Sequence, residues 1–177
     1  MKICVFCGSS SGNNPVYSRT AKELGALIAT RKHSLVYGGG NVGLMGIVAD
    51  AVLENQGEVI GVIPRFLMER EVGHTGLTSL EIVTSMHERK KRMADLSDAF
   101  LAIPGGWGTL EELGEILTWK QLGLISQPVG LLNVNGFFDP LLAQMNHMVQ
   151  EGFLRKENLA SIKISESPAE IVSLLIP

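Results

Sequence analysis

Short, almost continuously apolar segments alternate with amphipathic segments along the whole chain, and this alternation limits the possible folds more than any other feature. Strands buried on both faces have such sequences, as in a parallel sheet that is covered by helices. The apolar segments cover residues 2–7, 34–38, 58–64, 99–104, 128–133 and 162–165, with a shorter candidate at 80–83.

Helical periodicity fills most of the chain between these segments. It predicts helices over residues 15–31, 44–55, 86–97, 109–122, 138–151 and 168–175, whereas residues 65–79 follow no regular pattern. We see no linker, repeat or low-complexity tract. We therefore predict one α/β domain over residues 1–177, built on a doubly wound parallel sheet that is flanked by helices.

The composition argues against several classes of protein. Hydrophobic residues make up 45% of the 177 residues and the formal net charge is −3, so the basic surplus of nucleic-acid-binding proteins is absent. No segment approaches the roughly 20 apolar residues of a membrane span. The apolar run after Lys2 ends at Cys7, which is shorter than the roughly 7–15 residues of a secretory signal. We expect a cytoplasmic protein with no nucleic-acid or membrane partner.

Cys4 and Cys7 form a C-x-x-C pair inside the first apolar segment. Redox pairs of this spacing lie at the start of a helix, where the helix dipole lowers the thiol pKa. In a strand, a spacing of three residues places the two side chains on opposite faces. The histidines, at positions 33, 74, 87 and 147, are scattered rather than at zinc-ligand spacing. We therefore predict two packed thiols and no metal site.

Three glycine-rich loops follow predicted strands: GSSSGNN (8–14), GGGNVG (38–43) and PGGWGT (104–109). In open parallel sheets, ligands bind beyond the carboxyl ends of the strands, and the helix after each loop offers free N–H groups to a phosphate. Any one loop is equally well explained as a tight turn, but three together favour a phosphorylated ligand. Ser9 is a further candidate beside the predicted phosphate contacts, which are Gly39, Gly40, Gly105, Gly106, Trp107, Gly108 and Thr109.

The second loop matches the dinucleotide pattern G-x-G-x-x-G, but the rest of that fingerprint is missing. An NAD site also needs an acidic residue about 20 residues later, at the end of the next strand. That strand ends in Val62-Ile63-Pro64, and the chain contains no P-loop pattern G-x-x-x-x-G-K-[ST]. An NAD site and a P-loop site are both disfavoured.

Arg89 and Glu112 are charged residues that helical periodicity turns toward the packed side of a helix. Arg89 shares a sector with Met93 and Leu96, and Glu112 lies at the border of an apolar stripe. A guanidinium on an apolar face needs an anion or fixed acceptors, so Arg89 contacts either a ligand or a structural partner. Glu112 lies one turn beyond PGGWGT, where it could reach the ribose of a bound nucleotide. Glu115 is the alternative if the helical register differs.

Three segments of the chain match known sequence motifs: Gly38-Gly39-Gly40, Met86-His87-Glu88-Arg89-Lys90 and Pro104-Gly105-Gly106-Trp107-Gly108-Thr109-Leu110-Glu111-Glu112. They resemble the motifs of the LOG ("Lonely Guy") family of cytokinin riboside 5′-monophosphate phosphoribohydrolases. The family patterns M-H-x-R-K and P-G-G-x-G-T-x-x-E are matched at every fixed position, and the likeness runs over nearly the whole chain.

The resemblance implies a Rossmann-like homodimer that hydrolyses AMP-type nucleoside 5′-monophosphates, often with an isopentenyl-type group on N6, to free base and ribose 5-phosphate. It also implies that Arg89 and Glu112 are the catalytic pair and that Met86 and Lys90 bind the substrate. A second hypothesis is a nucleotide-binding or carrier module that does not turn its ligand over.

Several roles are open from the sequence. Glu112 could hydrogen-bond the ribose or activate water, and Arg89 could hold the phosphate or balance charge near the carboxylate. His74 and His87 could protonate the leaving base, although structural or surface roles are favoured for both. Residues 66–78 could shape the base pocket or a dimer contact.

Proteins of this kind have also carried the label "lysine decarboxylase", which the residues disfavour. Decarboxylating an amino acid normally needs a carbanion sink such as pyridoxal phosphate, held by a Schiff-base lysine. None of the three glycine-rich loops contains a lysine. We therefore expect an enzyme without a cofactor.

Overall fold

The computed structural model describes residues 1–71 and 73–176, which form a parallel sheet between two layers of helices. The strands are β1 (Lys2–Phe6), β2 (Ser34–Tyr37), β3 (Val59–Pro64), β4 (Ser79–Val83), β5 (Ala99–Ala102), β6 (Val129–Leu132) and β7 (Lys163–Ser165). The helices are α1 (Pro15–Thr30), α2 (Gly43–Glu54), α3 (Arg65–Glu71), α4 (Met86–Leu96), α5 (Trp107–Gln121), α6 (Asp139–Gln150), α7 (Lys156–Ala160) and α8 (Pro168–Leu175). A 3₁₀ turn covers Val134–Gly136.

The strand order is β4-β3-β2-β1-β5-β6-β7, and every neighbouring pair is parallel. The chain runs outward from β1 to β4 and then crosses to the other side of β1 to continue with β5. In β1, Cys4 pairs with Val36 of β2 on one side and with Phe100 of β5 on the other. The loops after β1 and β5 therefore diverge at one point of the sheet edge, where such folds bind ligands. The predicted doubly wound α/β sheet is confirmed.

Each face of the sheet has its own apolar core. Helices α1, α2 and α8 cover one face, and α4, α5 and α6 cover the other. Cys7 belongs to the first core and Cys4 to the second, so the predicted placement on opposite faces is confirmed. Both thiols are free and buried, and burial raises the pKa of each.

The sequence predicted no regular structure over residues 65–79, and this was wrong for the first half of that segment, because α3 begins directly after β3. A helix of seven residues has too few turns for its periodicity to stand out, and the same is true of α7, which the pattern did not predict. The other predicted elements begin and end within two residues of the observed ones. Across the described residues, no helix has the length and apolar character that a bilayer span requires.

Helices α1 and α2 cross closely at Gly25. A Cβ atom at this position would lie 2.6 Å from the carbonyl oxygen of Val48 and 2.7 Å from Cβ of Ala51. Gly114 is also inside a helix, α5, but a Cβ atom there would meet nothing within 4 Å. Alanine substitutions at these two positions therefore distinguish the destabilisation caused by a steric clash from the stabilisation caused by higher helix propensity.

We predict that Gly25→Ala lowers the free energy of unfolding by about 1–3 kcal/mol, because the added methyl group forces two packed helices apart. Gly114→Ala is the matched control and should leave this free energy unchanged or raise it by up to about 1 kcal/mol. Urea denaturation of both variants measures the difference. Equal effects of the two substitutions would contradict the close crossing of α1 and α2.

Candidate active site

A cavity of about 170 Å³ opens where the loops after β1 and β5 diverge. Pockets that enclose drug-sized ligands have volumes of about 300–1,000 Å³, so this cavity can enclose only part of a nucleotide. Its walls come from β1, the loops after β1, β2 and β5, and the helices α2, α4 and α5. The lining residues are Val5, Cys7, Gly8, Ser9, Gly38, Met45, Arg89, Gly106, Trp107, Gly108, Thr109 and Glu112.

Arg89 extends from α4 into the carboxyl edge of the sheet, and only 8% of its surface is exposed. Its Nε donates to the carbonyl of Val62 in β3 at 3.2 Å, and its Nη2 donates to the carbonyl of Gly38, just after β2, at 3.3 Å. Ser85 caps the start of α4 by accepting the backbone N–H of Glu88, which fixes where the helix begins. The prediction that Arg89 faces the packed side of its helix is confirmed. The fixed acceptors that its guanidinium needs are main-chain carbonyls.

Gly38 allows the guanidinium of Arg89 to approach the main chain. A Cβ atom at residue 38 would lie only 1.9 Å from Nη2 of Arg89. Any other amino acid at this position would therefore displace the arginine from its place in the cavity.

Glu112 faces Arg89 from α5. Its Oε1 lies 3.9 Å from Nη2 of Arg89, which is close enough for charge attraction but too long for a hydrogen bond. Like Arg89, Glu112 is only 8% exposed. Burial raises the pKa of Glu112 to about 7, because a carboxylate loses its hydration there, and the positive charge of Arg89 offsets part of this rise. At neutral pH the carboxyl group is thus divided between its protonated and ionised forms.

The N-terminus of α5 lies beside this pair and is open to a ligand. Gly106 is the N-cap residue and has no side chain to bond the first N–H groups of the helix. Thr109 lines the cavity, and its buried hydroxyl has no hydrogen-bond partner among the residues that the structure describes. Uncapped N–H groups, a hydroxyl in need of a partner and the helix dipole together make a seat for an anion.

Gly105 lets the loop after β5 pass close to the loop after β1. A Cβ atom at Gly105 would lie 2.1 Å from Oγ1 of Thr109 and 2.8 Å from the backbone nitrogen of Gly8. The backbone N–H of Gly8 also donates to the carbonyl of Pro104 at 3.1 Å. The two loops are thus locked side by side at the mouth of the cavity.

The sequence matches a family described as "possible lysine decarboxylase" over residues 45–175. It is 48% identical over 174 residues to the probable cytokinin riboside 5′-monophosphate phosphoribohydrolase LOGL2 of Oryza sativa subsp. japonica, covering 98% of this chain and 71% of that protein. It is also 48% identical over 174 residues to the cytokinin riboside 5′-monophosphate phosphoribohydrolase LOG1 of Arabidopsis thaliana, covering 98% and 82%. The chain belongs to the LOG family.

The fold is also that of more distant proteins. The molybdenum cofactor binding protein of Rippkaea orientalis superposes with a TM-score of 0.71 at 24% identity, and the match covers 98% of this chain and 93% of the other. At this identity the likeness speaks for the Rossmann-like architecture alone.

Within this LOG-family chain, several of the residues expected to bind substrate lie beside the cavity rather than in its wall. Lys90 forms ion pairs with Glu111 and with Glu115, the latter at 3.3 Å, and so ties α4 to α5. The sulfur of Met86 lies 3.8 Å from Nη1 of Arg89 and supports the arginine. The binding roles of Met86, Lys90 and Glu115 stay predictions.

The second glycine-rich loop, residues 38–43, is bonded to the main chain of residues 73 and 74. The carbonyl of Gly39 accepts the backbone N–H of His74, and Gly40 forms an isolated antiparallel bridge with Gly73. His74 is buried and contacts Asp50, whereas His87 is exposed at the start of α4. The phosphate-binding roles of Gly39 and Gly40 stay predictions, as does that of Ser9, which lies in the cavity wall.

Some residues of the cavity wall were not singled out from the sequence. Gly8 and Gly38 belong to loops that were, and their position after a strand was a usable signal. Val5 and Met45 have the sequence context of ordinary core residues, and Cys7 was considered only as part of the C-x-x-C pair and predicted to be a packed thiol. Among the described residues, no three His, Cys, Asp or Glu side chains gather as a metal site would require.

We predict that Glu112→Gln raises the free energy of unfolding at alkaline pH, because it removes a carboxylate whose ionisation the fold opposes. The pKa of Glu112 rises from 4.5 to about 7 on folding, so the destabilisation is absent below pH about 4.5 and complete above about 7. The variant should exceed the wild type by roughly 1–3 kcal/mol at pH 8, and by much less at pH 5.

Urea denaturation at the two pH values tests this, with Glu23→Gln on the exposed face of α1 as the control. The control should give the same difference from wild type at both pH values. A gain from Glu112→Gln that does not depend on pH would contradict the raised pKa.

Proposed function

We propose that this protein hydrolyses the N-glycosidic bond of purine nucleoside 5′-monophosphates to free base and ribose 5-phosphate. The substrates are AMP and N6-modified, cytokinin-type nucleotides. The observation that carries the proposal is the buried pair of Arg89 and Glu112, 3.9 Å apart, beside an uncapped helix N-terminus. The names of the relatives at 48% identity, LOG1 and LOGL2, support the same reaction.

The phosphate group binds at the start of α5. The backbone N–H groups of Trp107, Gly108 and Thr109 point out of the helix end, and the buried hydroxyl of Thr109 supplies another donor. Gly105 and Gly106 keep this seat free of side chains. We favour this seat over Gly39 and Gly40, because neither of those residues lines the cavity that holds Glu112.

Glu112 acts on the ribose, which the bound phosphate brings to the second turn of α5. Cleavage develops positive charge on the sugar, and the ionised carboxylate stabilises this charge and accepts a proton from the attacking water or binds a ribose hydroxyl. Two donors of Arg89 are occupied by carbonyls of the sheet. We therefore assign Arg89 to holding part of Glu112 ionised at neutral pH rather than to the phosphate.

The base lies toward the mouth of the cavity, because the enclosed volume suits a phosphoribosyl group. Trp107 stands at this mouth with 89% of its surface exposed, which is unusual for an indole ring. Such a surface is suited to a second copy of the chain, and the homodimer implied by the family resemblance stays a prediction. The cytoplasmic location also stays a prediction.

We predict that the purified protein releases free base from AMP and from N6-isopentenyladenosine monophosphate, but not from adenosine, which lacks the phosphate. Glu112→Gln should lower kcat at least about 100-fold, since positioned acid–base groups typically contribute ~10²–10⁴-fold. Chromatography of the products measures both effects.

Glu23→Gln, on an exposed helix face, is the control and should keep wild-type kcat. Circular dichroism establishes that each variant is folded. If AMP binds but no base appears, the protein is a nucleotide-binding module instead, and wild-type kcat in Glu112→Gln would remove that residue from the mechanism.

We predict that kcat at saturating AMP rises with pH along a single limb, because the ionised form of Glu112 is the active one. The pKa of Glu112 is about 7 without ligand, and a bound phosphate adds negative charge nearby, so we expect the limb at or above pH about 7. Saturating substrate is needed, since a phosphate monoester itself titrates near ~6. Arg89→Met removes a charge that lowers the pKa of Glu112, so its limb should move to higher pH. A flat profile, or a limb that Arg89→Met leaves in place, would contradict this assignment.

A further inference from the structure

Gly38, Gly39 and Gly40 form a segment without side chains that could restrict its backbone. The carbonyl of Gly38 nevertheless accepts a hydrogen bond that positions Arg89. Glycine has the greatest backbone freedom of the amino acids. A side chain cannot stiffen residue 38, because its Cβ would lie 1.9 Å from Nη2 of Arg89. Gly39 has φ of +77°, in the left-handed region that other residues rarely adopt. Contacts from other segments must therefore hold this loop.

Residues 73–76 supply such contacts. The backbone N–H of His74 donates to the carbonyl of Gly39 at 3.0 Å, and Gly73 forms an antiparallel bridge with Gly40. Both main-chain contacts lie directly after the peptide that carries the Gly38 carbonyl, at Gly39 and Gly40. The position of that carbonyl, and with it the position of Arg89, depends on where residues 73–76 are held.

The buried imidazole of His74 fixes residues 73–76 in turn. Its Nδ1 accepts the backbone N–H of Gly76 at 3.1 Å, and its Nε2 lies 2.9 Å from Oδ1 of Asp50 on α2. Because Nδ1 accepts, the neutral ring carries its hydrogen on Nε2 and donates it to Asp50. Any oxygen acceptor at the tip of residue 50 would satisfy this bond, whether or not it is charged.

We propose that His74, oriented by Asp50, is a positioning residue for the hydrolysis: it fixes the glycine loop 38–40 so that the Gly38 carbonyl holds Arg89 beside Glu112. Neither His74 nor Asp50 lines the wall of the cavity that contains Arg89 and Glu112, so the proposed role is exerted through the glycine loop. The kinetic consequence rests on the function proposed above. The structural consequence, a change in the distance between Arg89 and Glu112, does not.

The kinetic experiment compares four substitutions with AMP as substrate. His74→Ala and Asp50→Ala remove the hydrogen bond between His74 and Asp50. Both should lower kcat about 10- to 100-fold with a smaller change in KM, because small displacements of catalytic groups greatly slow the reaction. Asp50→Asn keeps an acceptor oxygen and should retain wild-type kcat. Val172→Ala removes buried methyl groups in α8, which packs against α1, β6 and β7, and should lower stability without changing kcat.

A second experiment needs no activity. In protein labelled with [¹³C]glutamate, the carboxyl resonance that disappears in Glu112→Gln identifies Glu112, and its titration midpoint is followed by NMR. The charge of Arg89 lowers the pKa of Glu112, so displacement of Arg89 raises the midpoint. We expect a raised midpoint in His74→Ala and Asp50→Ala, and the wild-type midpoint in Asp50→Asn and Val172→Ala.

The outcomes separate the two proposals. A raised midpoint in His74→Ala and Asp50→Ala, together with a wild type that releases no base, would overturn the hydrolase function and support the positioning role of His74. An unchanged midpoint and an unchanged kcat in Asp50→Ala would overturn the positioning role of His74. The same conclusion would follow if Val172→Ala changed kcat and the midpoint as much as His74→Ala does. If His74→Ala does not fold, Asp50→Ala still decides, because Asp50 is exposed and its loss leaves the core intact.

Discussion

Arg89 is buried at the carboxyl edge of the sheet, where its charge needs fixed acceptors because burial removes most of its hydration. The carbonyls of Val62 and Gly38 supply them, and they lie side by side because β3 and β2 are parallel neighbours that end at the same edge. This contact joins α4 to the sheet. It also requires glycine at residue 38, since the guanidinium occupies the space of a side chain.

The buried cation and the buried carboxylate set each other's chemistry. Burial raises the pKa of Glu112 to about 7, and Arg89 prevents a larger rise. A carboxyl group that is divided between its two forms at neutral pH can stabilise positive charge and exchange protons during one reaction. The same burial destabilises the fold when Glu112 ionises, so the site carries a cost in stability that an apolar pair would not.

Much of the fold could be predicted because it depends on local pattern. Apolar runs such as AFLAIP and the loops that follow them predicted the strands, the parallel sheet and the edge where the candidate site lies. Helical periodicity correctly predicted that Arg89 and Glu112 face the packed sides of their helices. It gave no sign of α3 or α7, whose few residues bury too little surface to leave a pattern. Lys90 belongs to the same motif as Arg89, yet its partners are Glu111 and Glu115 on α5, a pairing between helices that neither sequence segment encodes alone.

The α/β class, the three glycine-rich loops and the inward direction of the two charged residues could be predicted, because each follows from the order of residues within one element. The contacts of those residues depend on the tertiary structure. Arg89 comes to within hydrogen-bond distance of Val62, 27 positions away, and of Gly38, 51 positions away, while His74 reaches Asp50 on a separate helix. Such contacts depend on the strand order and on the packing of helices across the sheet edge, and no local periodicity records them.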